Sequence, residues 1–451
     1  MKQKEQYVAA IDIGTTKIVS IVGKKNENGK IEILGLSKAP SNGVKRGVVL
    51  NIEETVGAVR KTVEDVQSRS GIAFTDVFVG IAGQHIKSMK SRGYINRDSS
   101  DDEISKDDVF KLTKDMHNIP IDIGEEIIHV IPQNFIVDNE TGVKNPIGMS
   151  GRRLEANFHI VIGQVASAKN IEKCIRKSGL NVKDLILEPL ASSDAVLTDD
   201  EKEAGVVLVD IGGGTTDVAV YYDNIIRHTA VIPFGGNVVT RDIKEGCSIL
   251  QRYAEQLKIQ YGSALGDIAA EDKVVSVPGI SGREPKEISF KSLAYIIQSR
   301  MEEIIDAVNF EIQTSGYADK LAAGVVITGG GAMLKHLPQL VKFKTAMDVR
   351  IGFPNEHLSG SSKDEINQPM FATSVGLIMR GFEYLEIYKS SFNAGKKSEM
   401  IEQPTREEIL ENAGDFDDEM YDDEADGKLT WAEKFKRSLS KMFETEDQSI
   451  N

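Results

Sequence analysis

Cysteine and tryptophan are scarce in this chain of 451 residues: two of the first, Cys174 and Cys247, and one of the second, Trp431. Two cysteines without CxxC spacing exclude a disulfide framework and a cysteine-based zinc site, and they fit a reducing compartment. Long apolar runs are missing as well. No window approaches the roughly 18 uncharged apolar residues of a membrane-spanning helix. The opening "MKQKEQYVAAIDIG" has no apolar core long enough for a signal peptide. Positive charge is in deficit, with 54 Lys+Arg against 69 Asp+Glu and a net charge of −15, which argues against nonspecific nucleic-acid binding as the main activity. The expectation is a cytoplasmic protein, unless something fastens it to a surface.

What is present is an α/β chain long enough for two to four domain-sized units. It opens with the apolar run "YVAAIDIG", a small polar turn and a second run, "KIVSIVGKK", which together read as a hairpin. Residues 53–69 carry Val56, Val59, Val63 and Val66 at helical spacing. "DVFVGIAG" and "FHIVIGQV" read as strands, and "DEISKDDVFKLTKDM" as a helix with a capping-type start. The opening pattern then recurs: "GVVLVDIGGGTTDVAVYYDN" is again strand, turn and strand, about 200 residues after the first. This repeat predicts two similar domains. Later segments read as helices ("SILQRYAEQLKIQYG" and "SFKSLAYIIQSRMEEIIDAVNFEI") and a strand–turn, "GVVITGGGAML".

The repeated turns carry the chemistry. In "DIGTTK" and "DIGGGTTD", Asp12 and Asp210 close apolar strands and precede glycines and paired threonines. Glycine lets the backbone approach a phosphate, and successive N–H groups in such a turn make an anion nest. Threonine hydroxyls can donate to phosphate oxygens, while an aspartate can hold Mg²⁺ directly or through water. Each turn leads into a strand, whereas Rossmann and Walker A sites need a following helix. Taken singly, either turn could be an ordinary hairpin. Two copies, with the glycine cluster of "ITGGGAML" as a third piece, resemble the actin/Hsp70/sugar-kinase superfamily. In that resemblance residues 12–17 are the first phosphate motif, 210–217 the second and 328–334 the adenosine motif. "EPLASS" matches the segment that bacterial actins and Hsp70 carry between their domains, so the resemblance spans nearly all of residues 7–390.

The resemblance implies ATP and Mg²⁺ as ligands. Asp12 and Asp210 would organise the metal. Gly14, Thr15, Thr16 and Lys17 would face the phosphates from one domain, and Gly212, Gly213, Gly214, Thr215 and Thr216 from the other. Glu188 resembles the residue that orients the attacking water, with Asp210 beside it as the second catalytic candidate; a plain helix-start carboxylate is the alternative for Glu188. Asp217 reads as a structural residue of the turn. Glu255 and Lys258, three residues apart on "AEQLKIQYG", resemble the ribose-contacting helix, or else form a surface ion pair. Gly330, Gly331 and Met333 would lie near the adenine. The rate of any ATP hydrolysis is not written in these motifs.

The C-terminal region distinguishes among members of the superfamily. Between Glu399 and Asp426 there are 13 acidic residues and one basic residue, Arg406, which predicts a disordered linker. "KLTWAEKFKRSLSKMF", residues 428–443, follows. On a helix, Trp431, Phe435, Leu439, Met442 and Phe443 form one apolar stripe, with Lys428, Lys434, Lys436, Arg437 and Lys441 flanking or opposing it, a local charge of +4. At about 24 Å such a helix is too short to span a bilayer. It suits an in-plane helix on anionic lipid, a partner's groove being the alternative. A metabolite kinase would not need this tail, and an Hsp70 would continue into a β-rich substrate domain.

Core, linker and helix together resemble the FtsA family of bacterial cell-division proteins, as do "GVKRGVV" (43–49) and "GIAFTDVFVGIAGQHIKS" (71–88). The fold this implies is actin-like (ribonuclease H-like), with two domains, an inserted subdomain 1C and a C-terminal amphipathic helix. Residues 1–84, 164–202 and 359–390 would form domain 1A and 85–163 subdomain 1C. Residues 203–233 and 319–358 would form 2A, 234–318 subdomain 2B, 391–427 the linker and 428–443 the membrane helix. An ATP-binding adaptor is implied that polymerises and tethers FtsZ to the cytoplasmic face of the membrane at the septum, with other divisome proteins as further partners. The C-terminal peptide of FtsZ would bind 2B, with Arg300 as a candidate contact. A departure from the family is the acidic "ETEDQSIN" after the helix. A pilus-assembly ATPase of similar core, or a small-molecule kinase, is the competing reading.

Overall fold

The computed structural model describes residues 6–97, 102–279, 283–355, 357–359 and 363–393. Residues 1–388 make one compact unit and 389–451 a second. The expected membrane helix, with Trp431, Lys434, Phe435, Arg437, Leu439, Lys441, Met442 and Phe443, lies outside the described residues. So does the expected linker from residue 394 on. Its first three residues are a correction: the helix Ala372–Asn393 runs through them.

The sequence repeat becomes a repeat of topology. In the first lobe, Tyr7–Ile13 pairs antiparallel with Lys17–Lys25, which pairs antiparallel with Ile31–Pro40. On its other side Tyr7–Ile13 pairs parallel with Asp76–Ile81, and that strand with Asn181–Leu187. The second lobe repeats the order with Val206–Ile211 at the centre, Thr216–Tyr222 and Ile225–Ile232 on one side, and Val325–Thr328 and Val349–Ile351 on the other. The central strands are buried on both faces, which is why they read as continuous apolar runs.

Between the fourth and fifth strands of the first lobe the chain inserts a four-stranded antiparallel sheet: Lys87–Asn96, Arg153–Gln164, Glu125–Val137 and Glu140–Val143. It has its own core around Phe158, Leu154 and Leu112. The helix Lys106–Asp115 covers it and starts with the expected capping box, Ser105 with Asp108. Between the third and fourth strands of the second lobe lie helices Gly236–Cys247, Gln251–Tyr261 and Phe290–Ser315.

The helix Ile52–Ser70 buries Val56, Val59, Val63 and Val66, begins at an Asn51 cap and ends at Gly71 with φ 67°. A separate core joins the lobes. It contains Leu190, Ala191 and Val196 from the helix Glu188–Val196, Val375 and Ile378 from Ala372–Asn393, and Leu208 and Val326 from the second sheet. The two helices approach so closely that a Cβ on Gly376 would stand 1.8 Å from the Ala191 carbonyl oxygen. The two sheets are thereby held with the turns after their first strands on a common cleft. Among the described residues no helix is long and apolar enough to cross a membrane.

Candidate nucleotide site

The cleft is lined by Asp12, Gly14, Thr15, Thr16 and Lys17 from the first lobe and by Asp210, Gly212, Gly213, Gly214, Thr215 and Asp217 from the second. Glu188, Gly329, Gly330, Pro369, Met370 and Thr373 complete it. The turns are local products of their strands. In the second, the Gly212 N–H donates to the Thr215 carbonyl at 2.9 Å, and Asp210 is paired across the hairpin with Asp217. Tertiary structure then makes the turns face one another. A Cβ on Gly213 would lie 2.0 Å from Thr16 Oγ1, and one on Gly214 2.5 Å from Thr15 Oγ1. Only glycine permits that approach.

Four carboxyl groups share the floor, those of Asp12, Asp210 and Asp217 buried and that of Glu188 half-buried. Asp12 accepts a hydrogen bond from Ser374 Oγ at 3.1 Å, and Asp210 accepts from Ser192 Oγ at 2.7 Å and Thr373 Oγ1 at 3.3 Å. Burial raises both carboxyls above the ordinary aspartate range, against the pull of Lys17 and these hydroxyls. Glu188 and Asp217 are pushed further up: by burial first, then for Glu188 by Asp12, Asp217 and Asp210, and for Asp217 by Asp210 and Asp12. Gly80 makes room for Glu188, since a Cβ there would stand 3.0 Å from Glu188 Cγ.

So many acids against one lysine leave a site of negative potential that a cation would relieve. Their hard oxygens suit Mg²⁺. Among the described residues no three His, Cys, Asp or Glu side chains are grouped to ligate a metal directly. The fit is therefore to an ion that keeps waters and takes other oxygens from phosphate.

Not every expected residue joins the cleft. Thr216 is a correction: it is fully buried and its hydroxyl donates to the Phe234 carbonyl at 2.9 Å, so it is unavailable to a phosphate. Strand alternation explains this, because residues 215 and 217 share one side and 216 takes the other. The same alternation was the signal for Asp217, which belongs to the acid cluster and not only to the turn. Gly331 packs on Ile211, and Met333 is exposed and outside the cleft lining. Glu255 and Lys258 do pair, at 2.8 Å, and Lys258 also donates to the Gly236 carbonyl at 3.0 Å. The Gly236 N–H in turn donates to the Gly212 carbonyl, so the pair sits beside the second turn. The Arg300 guanidinium is engaged within the chain by Asp242 and Glu303, both at 2.5 Å. Pro369, Met370, Thr373 and Ser374 carry no motif and come to the site only through tertiary packing, while Ser192 lies within "EPLASS" without a role of its own in that motif.

Comparison with known proteins places this geometry in context. A family model described as "Cell division protein FtsA" matches residues 207–376, and one described as "SHS2 domain inserted in FTSA" matches 83–162. A cell division protein FtsA of Pseudomonas aeruginosa is 40% identical over 381 residues, covering 84% of this chain and 90% of that protein. One from Escherichia coli K12 is 36% identical over 385 residues, covering 84% and 91%. Among solved structures, a type IV pilus PilM–PilN complex aligns with TM-score 0.59 at 14% identity, over 84% of this chain and 99% of that one. MreB5 of Spiroplasma citri bound to AMPPNP aligns with TM-score 0.52 at 14% identity, over 87% and 100%. The fold shared with these is the actin-like one.

Proposed function

Because the chain belongs to the FtsA family of cell-division proteins, we propose that it is an ATP-binding adaptor that polymerises and tethers FtsZ to the cytoplasmic face of the membrane at the division septum. The observation that carries the nucleotide part is the pair of glycine–threonine turns facing each other over four clustered carboxyl groups and Lys17. In this reading Gly14 to Lys17 and Gly212 to Thr215 embrace the phosphates. Asp12 and Asp210 hold Mg²⁺ through water. Glu188, whose carboxyl is pushed up by burial and by the neighbouring aspartates, lines the cleft where it could orient a water. Gly330 borders the adenine, and Lys258 with Glu255 supports the ribose side. MreB5, of the same fold, has been solved with AMPPNP, which supports a nucleotide here.

The membrane part rests on the sequence of residues 428–443, whose aromatic stripe and local charge of +4 suit anionic lipid. A flexible acidic stretch before it would leave core and anchor free of one another. FtsZ binding is assigned to the helical part of the second lobe, with other divisome proteins as further partners. Arg300 would have to exchange Asp242 or Glu303 for an acidic peptide.

The test is co-sedimentation with vesicles containing anionic phospholipid, with ATP·Mg²⁺ and with or without FtsZ. The full chain should pellet and bring FtsZ down; a chain ending at Asp426 should leave both in the supernatant. Equal behaviour of the two chains would refute the anchor. A pelleted full chain that leaves FtsZ behind would refute the tether.

A further inference from the structure

One cation at the rim of the cleft has no part in the roles above. The short hairpin of Val44–Lys45 and Val48–Val49 turns at Arg46 and Gly47, with φ of 50° and 74°. The Gly47 N–H donates to Thr15 Oγ1 at 3.1 Å, which ties the hairpin tip to the first phosphate-facing turn. From behind, the tip rests on the chain that leaves the strand Asp76–Ile81. A Cβ on Gly47 would lie 2.5 Å from the Ala82 carbonyl oxygen, and the Gln84 N–H donates to the Arg46 carbonyl at 3.4 Å. The backbone of Arg46 is thus fixed, and the freedom left to this residue is in its side chain.

That side chain reaches the other lobe. Its guanidinium carbon stands 5.9 Å from the centre of the Phe234 ring. Phe234 is in turn tied to the second turn: its carbonyl accepts from Thr216, and a Cβ on Gly235 would lie 2.6 Å from the Gly212 carbonyl oxygen. Arg46 therefore bridges the two phosphate-facing turns at their shared rim. Among the described residues its partner is a ring and not a carboxylate. A half-exposed guanidinium on an aromatic face is held more weakly than one bonded to a phosphate, for which its planar fork is well matched. Gly330, expected beside the adenine, and its neighbour Gly329 approach the cleft from the strand behind Asp210. Arg46 instead stands with the threonine turns, at the phosphate end.

We infer that Arg46 reads the terminal phosphate of a bound nucleoside triphosphate, leaving Phe234 to bind that phosphate and returning to the ring when a diphosphate is bound. The exchange would make a contact between the lobes depend on nucleotide state. This rests on the nucleotide reading above.

Titration calorimetry of the full chain with Mg²⁺ and either AMPPNP or ADP tests it. Arg46→Gln should weaken AMPPNP by about tenfold or more, the usual loss for a charge-assisted bond to phosphate, and leave ADP within about twofold. Arg46→Lys should recover part of the loss. Phe234→Leu, which removes the ring but keeps the cation, should retain the preference for AMPPNP. An equal loss for both nucleotides, or no loss for either, overturns the inference. So does a Phe234→Leu variant that loses the preference. A parent protein that binds neither nucleotide refutes the nucleotide reading itself, and this inference with it.

Discussion

Replacing Asp217 by asparagine isolates the electrostatics of the cleft. Asp217 is 4% exposed, and its Oδ1 has no hydrogen-bond partner among the described residues. Burial, followed by Asp210 and Asp12, raises its carboxyl well above the ordinary 3.8. Over the interval between 3.8 and that raised value, the folded protein holds a proton that the unfolded chain has released. The folded state then binds more protons than the unfolded one, so stability falls as pH rises through the interval. Every tenfold difference in proton affinity amounts to about 1.4 kcal/mol. Asparagine keeps the shape and removes the titration. In nucleotide-free protein with chelator, Asp217→Asn should match its parent at about pH 3, below the interval. As pH rises through the interval it should become the more stable of the two. Urea unfolding at a series of pH values reads this as a gap between midpoints that widens with pH. A variant less stable than its parent by the same amount at every pH would refute the reasoning, since Asp217 would then be an ionised acceptor holding the turn. The same linkage predicts that Mg²⁺ with nucleotide releases protons from the parent. Calorimetry in buffers of different ionisation enthalpy would measure that release, and the variant should release fewer.

Gly376→Ala should destabilise the compact unit by about 1–3 kcal/mol, because the added Cβ would stand 1.8 Å from the Ala191 carbonyl oxygen, backbone against backbone. Chemical denaturation checks this, and a change below about 0.5 kcal/mol would mean the inter-lobe helices can separate freely. Thr216→Val should cost about 1 kcal/mol of stability through the lost bond to the Phe234 carbonyl, with ATP affinity unchanged. Thr15→Val should do the reverse in affinity, since Thr15 lines the cleft; nucleotide titration of both variants that showed the opposite ranking would return Thr216 to the phosphate-facing set.

The elements whose signals are local were legible in the sequence. The valines of residues 53–69 repeat at helical spacing and bury one face of the helix Ile52–Ser70. Ser105 and Asp108 announce the next helix within four residues. Each phosphate-facing turn is a strand, a glycine-bearing bend and a second strand, complete within Tyr7–Lys25 and Val206–Tyr222, so its chemistry could be read without knowing what lay opposite. The repeat of that turn implied two similar lobes, and the sheets do share one strand order. One local error, Thr216, came from treating paired threonines as equivalent when a strand sends neighbours to opposite sides.

What the sequence alone determined, then, is the pair of turns, the strand runs that carry them, and an acidic region followed by a basic amphipathic stretch. Only the tertiary structure decided that Gly213 meets Thr16 across a cleft. It likewise decided that Ser192, Thr373 and Ser374 hold the two aspartates, that Gly80 makes space for Glu188, and that Arg46 reaches Phe234. The reason is one of range. Backbone hydrogen bonding and side-chain alternation act over a few residues, whereas the proton affinity of a buried carboxyl depends on every charge and hydroxyl that packing brings within a few ångströms, however distant in the chain.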